Sequence, residues 1–223
     1  MEGEAQTRAQ SLGVVDGSVA RRATTGVAPQ AWVQAAQSEG ARTSPDLLWP
    51  VPDGRLWRGF GPRRGFRRVR GRLSRTRRQH MHNGVDIGAA VGAPIVAVND
   101  GLVVYSDNGM HGYGNAVLIV HPDGAVSMYA HCTETYVVAG RLVRRGEVIA
   151  AVGETGITHG PHLHFEYRSG GSLEDPLPLF VHIPERSRIR ETASSATRAE
   201  TLEEAPEAVE STTPNETAHD VEP

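Results

Sequence analysis

The stretch Gly160-Pro161-His162-Leu163-His164-Phe165-Glu166 carries the strongest indication of how this chain folds. Leu163 and Phe165 alternate with polar residues, and this two-residue period is typical of a strand with one face in a core. The same period places His162 and His164 side by side on the opposite face. Imidazole is the commonest metal ligand among side chains, so the pair indicates a metal site on a sheet surface.

A second cluster supplies a carboxylate, since His82 and Asp86 are separated by Asn83-Gly84 and one apolar residue. Asn-Gly is a strong turn signal, and the residues after it favour a strand. The chain contains no His-Glu-x-x-His motif, which excludes the helical zinc peptidase signature. His131 ends a third segment that alternates like a half-buried strand. These segments together offer four histidines and one aspartate for a single site.

The middle of the chain is predicted to be all-β. Short segments rich in β-branched residues are separated by turn residues, and no capped segment of helical period interrupts them. Asp100-Gly101 and Pro122-Asp123-Gly124 are predicted hairpin turns. We therefore expect a compact antiparallel β-sheet or barrel-like domain with an open face as the floor of a groove. The predicted strands are 94–98, 102–105, 116–120, 125–129, 147–152 and 162–167.

The composition divides the chain into three parts. Residues 1–45 are rich in Ala, Gln, Ser, Thr and Gly, with one brief predicted helix at 31–37. Residues 46–183 form the predicted folded domain. Residues 184–223 are rich in Glu, Thr, Ala and Pro. Both ends are predicted to be mostly disordered, because they offer too little apolar surface to offset the entropy lost on ordering.

All basic side chains of this chain are arginine, and they are unevenly placed. Residues 46–183 carry 15 arginines and 12 acidic side chains, whereas residues 184–223 carry 4 arginines and 10 acidic side chains. Nine of the arginines lie in an insertion at 63–78, just before His82. One interpretation is a solvated, mobile loop. The other is a cleft wall that attracts the carboxylates or phosphates of an anionic polymer, and nucleic acid is not the expected target.

The ordered motifs resemble the LytM and lysostaphin-type zinc metallopeptidases. The resemblance covers roughly residues 46–181, and its motifs occur in the family's order and spacing. The matching motifs are Trp49-Pro50-Val51-Pro52, Gly59-Phe60-Gly61, His82-x-Gly84-x-Asp86, Gly112-Tyr113-Gly114-Asn115, Tyr129-Ala130-His131, Val152-Gly153-Glu154-Thr155-Gly156 and Gly160-Pro161-His162-Leu163-His164-Phe165-Glu166.

This resemblance implies that His82, Asp86 and His164 ligate one catalytic Zn²⁺ and that His131 and His162 are catalytic histidines. Three protein ligands and one open position are typical of catalytic zinc. The implied activity is a metalloendopeptidase that hydrolyses peptide bonds of bacterial peptidoglycan by a zinc-activated water. The alternative is a non-catalytic peptidoglycan-binding or hydrolase-activating module of the same fold, which would lack one or more of these residues.

Other residues near the motifs receive separate interpretations. Glu166 is expected to be a partner of a ligand ring and not a ligand. Cys132 follows His131 in a strand and should face away from the site, which disfavours a thiol peptidase. Some relatives carry an oxyanion-binding tyrosine shortly before the first ligand, whereas this chain has arginines there. Structural or surface roles are expected for His80, His111, His121, His159, His182 and His219.

The implied substrate places the protein in the cell envelope. The acidic start Met1-Glu2-Gly3-Glu4 and the short apolar run at 12–15 do not match a secretory signal. No run approaches the ~18 apolar residues of a transmembrane helix. A monomer is predicted.

Overall fold

The computed structural model describes residues 2–14, 18–69 and 72–184, and it leaves undescribed the side chains of 18, 20–22, 39 and 63–79. Its helices are α1 (Glu2–Leu12), α2 (Ser18–Thr25) and α3 (Gln30–Ala36), with 3-10 turns at Ser38–Gly40 and Leu177–Leu179. Its strands are β1 (Arg55–Arg58), β2 (Gly61–Val69), β3 (Arg72–His82), β4 (Val85–Gly88), β5 (Pro94–Val96), β6 (Gly101–Asp107), β7 (Asn115–Val120), β8 (Val126–Thr135), β9 (Leu142–Val143), β10 (Val148–Val152), β11 (His162–Ser169) and β12 (Ser172–Glu174).

One large antiparallel sheet organises the domain. Its strands follow the order β1-β4-β11-β8-β7-β6-β9, with β10 pairing β5 and β8, and β12 pairing β11. The predicted all-β antiparallel class is confirmed, and the six predicted strands correspond to β5, β6, β7, β8, β10 and β11. Short apolar, β-branched segments bounded by turn residues explain this agreement, because such segments are typical of strands that are buried on both faces.

Only one of the two predicted hairpin turns joins neighbouring strands. Residues around Pro122-Asp123-Gly124 connect β7 to β8, and Gly124 has a φ of +84°. The prediction at Asp100-Gly101 was wrong, because β5 pairs with β10 and not with β6. Asp100 instead accepts hydrogen bonds from the backbone of Arg42 and Arg145. A turn signal alone does not say which strands it connects.

The sheet contacts a separate apolar cluster on each face. Leu163, Phe165 and Tyr129 point into the first cluster, together with Trp49 and Phe180. The second cluster contains Leu118, Met128 and Ala130 from the other face, and it continues into the N-terminal helices. Alternation along β11 therefore separates the apolar side chains from His162 and His164, which are also buried.

The structure of residues 1–45 differs from the predicted disorder. Ala9 of α1, Ala23 of α2 and Trp32 of α3 are buried in the second cluster, and the Trp32 indole donates a hydrogen bond to the Leu12 carbonyl, 3.0 Å away. The segment has too few apolar residues to form a core of its own. Its helices are ordered because they pack on apolar side chains of the sheet. The acidic tail from 185 onward lies outside the described residues.

The arginine-rich insertion lies on a β-hairpin. β2 pairs with β3 from Gly61↔His82 to Val69↔Arg72 in a separate two-stranded sheet. The hairpin therefore ends at His82. Its proposed role with anionic polymers remains a prediction.

No helix within the described ranges is both long enough and apolar enough to cross a membrane.

Candidate metal centre

Three neighbouring segments bring His82, Asp86 and His164 together. His164 of β11 pairs directly with Asp86 of β4, and His82 ends β3 just before the turn into β4. His82 Nε2 lies 3.0 Å from Asp86 Oδ1, and His164 Nδ1 lies 2.9 Å from the same oxygen. One donor atom from each residue lies within 4.8 Å of the others. The two nitrogens and one oxygen can therefore meet at a single cation.

Hydrogen bonds behind the two rings set which nitrogen faces the site. His82 Nδ1–H donates to the Gly59 carbonyl oxygen at 2.7 Å, and His164 Nε2–H donates to Glu166 Oε1 at 3.2 Å. A carbonyl or carboxylate oxygen can only accept, so Nε2 of His82 and Nδ1 of His164 are left to act as ligands.

Glu166 supports the His164 ring from a buried position, as expected from the sequence. Its Oε1 accepts a hydrogen bond from the Tyr113 hydroxyl at 2.9 Å, and its Oε2 pairs with Arg168 Nη2 at 2.9 Å. Burial first, and then the charge of Glu166, raise the pKa of Tyr113 to about 12, so this phenol stays a donor. Two donors thus hold the carboxylate that orients His164.

The charge of the cluster favours a cation. Burial alone would raise the pKa of Asp86, but its contacts with His164 and His82 outweigh burial and hold that pKa far below its ordinary value. Burial would likewise lower the pKa of His164, but hydrogen bonds to Asp86 and Glu166 raise it to about 9. A positive charge at this position is therefore strongly stabilised by two carboxylates.

His131 and His162 face the same cavity from the other side. His131 Nδ1–H donates to the Thr155 carbonyl at 2.8 Å, and His162 Nδ1–H donates to the Gly160 carbonyl at 2.7 Å. The two ring centres are 4.9 Å apart, and His162 Nε2 lies 3.7 Å from Asp86 Oδ1. In each ring Nδ1 is bonded to the backbone, which leaves Nε2 available for proton transfer in the cavity.

The backbone at His131 is in a conformation that few side chains adopt. Its φ is +64°, in the left-handed region. Its backbone N–H donates to the Tyr113 carbonyl at 2.8 Å, which holds the residue there. Burial lowers the pKa of His131 to about 4, so the ring is neutral near pH 7. Strained backbone and a shifted pKa are common where a side chain acts chemically.

The cavity above the cluster has a volume of about 230 Å³. Trp57 and Arg58 belong to its lining, although sequence reasoning missed both. Ile157, Thr158 and the exposed His159 also line it, and the structural or surface role expected for His159 stays a prediction. The complete lining consists of Trp57, Arg58, His82, Asp86, His131, Ile157, Thr158, His159, His162 and His164.

Two other reactive side chains lie outside this cavity. Cys132 is fully buried, its thiol lies 3.7 Å from the Tyr129 carbonyl, and burial raises its pKa to about 12. His121 is also buried, and its ring bonds to the Asp100 carbonyl and to the Ser127 hydroxyl. The predicted non-catalytic roles of these two residues agree with their positions.

Comparison with known proteins identifies the domain that carries this cluster. The family model for Peptidase family M23 matches residues 80–176, a range that includes all five of the site residues named above. Residues 80–176 are a domain of peptidase family M23. The predicted LytM/lysostaphin-type resemblance is confirmed.

Two relatives of known name align with part of the chain. The DD-carboxypeptidase/endopeptidase Mpg of Neisseria meningitidis is 39% identical over 116 residues, which cover 52% of this chain and 26% of that protein. The murein hydrolase activator NlpD of Salmonella typhimurium is 36% identical over 150 residues, covering 67% of this chain and 35% of that protein. This chain therefore matches only a minor part of the length of these two relatives.

A solved structure is similar to this chain over the same region. A zinc-containing peptidase from Vibrio cholerae has 32% sequence identity and a TM-score of 0.50, with 61% of this chain and 40% of that chain covered.

Proposed function

We propose that this M23 protein is a zinc metalloendopeptidase that hydrolyses peptide bonds in bacterial peptidoglycan. The observation that carries this proposal is the convergence of His82, Asp86 and His164 on one cavity with His131 and His162 beside them. A three-ligand cluster next to two further proton-carrying groups is the arrangement that hydrolysis requires.

The donor set fits zinc. Two imidazole nitrogens and one carboxylate oxygen are zinc ligands, and three protein ligands leave a position for reactants. The contact of His164 with Glu166 is the carboxylate–histidine pairing common behind zinc ligands. When bound, zinc would polarise the scissile carbonyl and lower the pKa of a water molecule.

His131 and His162 then accept and donate protons through their Nε2 atoms. His131 is neutral near pH 7, so it can accept a proton at that atom. His162 can, when protonated, donate from Nε2 to the charge that develops on the carbonyl oxygen. The backbone carbonyls of Thr155 and Gly160 keep both rings oriented throughout, because their acceptor role does not change with protonation.

Peptidoglycan as the substrate is supported by the names of the relatives. One is a DD-carboxypeptidase/endopeptidase and another a murein hydrolase activator. A substrate in the wall requires a location in the cell envelope, which we propose for this protein.

The second candidate function is activation of another wall hydrolase. It is favoured by the relative named murein hydrolase activator, whose match covers 67% of this chain. It is disfavoured by the complete set of five site residues, since an activator does not need zinc ligands or a poised histidine pair.

The test is incubation of the purified protein with intact peptidoglycan sacculi, with and without a chelator, followed by mass spectrometry of the released fragments. We expect chelator-sensitive release of muropeptides and no release by His164→Ala. His182→Ala, at an exposed position outside the cavity, serves as the matched control. No release by a protein shown to contain zinc would reject the enzyme function.

A further inference from the structure

A register shift in β1 directs two consecutive side chains toward the cavity. Leu56 pairs with Ile87 of β4, but Arg58, two residues later, pairs with Asp86. In a regular strand Trp57 and Arg58 would point to opposite faces. The extra residue on β1 re-aims them, and both line the same cavity.

Arg58 places a permanent positive charge beside the metal centre. Its Nη1 lies 3.3 Å from Asp86 Oδ2, the oxygen that His82 and His164 do not contact, and its side chain is 50% exposed. A half-exposed ion pair contributes little to folding stability, so stability does not explain this placement. A guanidinium carries five N–H donors, and the contact with Asp86 is made through Nη1.

Trp57 forms an apolar wall next to this charge. Its indole stacks on His162 with ring centres 5.9 Å apart, and a Cβ at Gly88 would overlap the indole ring. The side chain nevertheless remains 57% exposed. Ile157, which is 68% exposed, lines the same cavity. An arginine that lines a cavity together with exposed apolar side chains is suited to a ligand with a carboxylate on a short apolar residue.

On the basis of the peptidase function proposed above, we propose that Arg58 binds a free carboxylate of the substrate peptide next to the bond that is cut. Trp57 and Ile157 contact the apolar atoms that flank this carboxylate. The substrate class is then an anionic peptide, and neutral peptide bridges are poor substrates. Arg58 thus determines substrate specificity. Its Nη1 contacts Asp86, and the N–H groups on its other nitrogens bind the ligand.

The experiment compares two synthetic cross-linked peptides of one sequence, with the residue beside the scissile bond carrying either a free carboxylate or a carboxamide. We expect the zinc-loaded wild type to cleave the free acid with a kcat/KM about tenfold or more higher, because a charge-assisted hydrogen bond is lost in the amide. Arg58→Gln should remove the preference, Arg58→Lys should retain part of it, and Arg55→Gln, an exposed arginine of the same strand, should leave it unchanged.

Arg58 could also affect activity indirectly, by positioning Asp86 as a zinc ligand. Zinc affinity, measured by competition with a chelator, distinguishes this indirect effect from binding of the substrate carboxylate. We expect Arg58→Gln to bind zinc as the wild type does. Equal loss of activity on both peptides, or weaker zinc binding by Arg58→Gln, would show that the arginine only positions Asp86.

A binding experiment tests the carboxylate site even if the protein is not a peptidase. If the wild type cleaves neither peptide, calorimetric binding of the same two peptides to the zinc-loaded protein replaces kcat/KM. Preferential binding of the free acid that depends on Arg58 supports the carboxylate site, and equal binding of both peptides overturns it.

Discussion

At the scale of single residues, four histidines of the cavity (His82, His131, His162 and His164) each hydrogen-bond the surrounding protein through one ring nitrogen and direct the other nitrogen into the site. Backbone carbonyls hold the rings of His82, His131 and His162, whereas a carboxylate holds His164. A carboxylate behind a ring makes the ligand nitrogen more basic than a carbonyl does. Among the proposed ligands, His164 is therefore the one whose affinity for zinc should depend most on its neighbour.

Glu166→Gln is expected to weaken zinc binding by about 10- to 100-fold. The amide keeps the size of the side chain but loses the charge that Arg168 and Tyr113 hold in place. Chelator competition measures the affinity, and Glu174→Gln on exposed β12 is the control. An unchanged zinc affinity would show that Glu166 does not act on the ligand ring.

At the scale of elements, Asp100 connects three segments of the chain. Its carboxylate accepts hydrogen bonds from the backbone N–H groups of Arg42 and Arg145 at 2.9 and 2.8 Å, and it pairs with the Arg144 guanidinium at 3.1 Å. The residue thus links the segment after α3 and the loop between β9 and β10 to the start of β6. This use of an Asp-Gly pair could not be read from the local sequence.

Asp100→Asn is expected to lower the free energy of unfolding by about 1–3 kcal/mol at pH 7, because an amide cannot accept all of these hydrogen bonds. Burial would raise the pKa of Asp100, but the hydrogen bonds from Arg145, Arg42 and Arg144 lower it below 3.8. The stabilisation is therefore complete above the ordinary pKa and is lost as the pH falls through the folded-state value.

Urea denaturation at pH 7 and pH 3 measures this difference. The gap between wild type and Asp100→Asn should narrow at pH 3, whereas Asp53→Asn in an exposed turn should match the wild type at both. A gap that stays constant with pH would mean that the carboxylate charge is not involved.

At the scale of the whole molecule, the N-terminal helices and the sheet share one apolar cluster. Trp32 is 2% exposed and lies in the same cluster as Leu118 and Met128 of the sheet. Helices of 11, 8 and 7 residues are too short to be stable alone, so their stability comes from this packing.

Trp32→Ala is expected to lower the free energy of unfolding by about 3–5 kcal/mol, the usual effect of removing a large buried aromatic side chain. Urea denaturation of the full chain measures it, with Val27→Ala at a 69% exposed position as the control. A midpoint like that of the wild type would show that the helices are not part of the cooperative fold.

The sequence by itself determined the strands and the identity of the central side chains. The apolar run at 116–120 and the alternation at 162–167 both predict the observed strands, because a run of short apolar residues bounded by turns is typical of a strand buried on both faces. The His-x-His motif follows from the two-residue period of a strand, and the His82–Asp86 pair follows from the turn signal between the two residues. All five predicted site residues consequently line one cavity in the structure.

Some features depend on contacts between segments that are distant in the sequence, and only the tertiary structure decided these. The helices of residues 1–45 need apolar surface from the sheet, and the connection at Asp100-Gly101 depends on β5 pairing with β10. Trp57 and Arg58 reach the cavity through a register shift against β4. Pairing and register are set by contacts between distant segments, and such contacts leave no period in the local sequence.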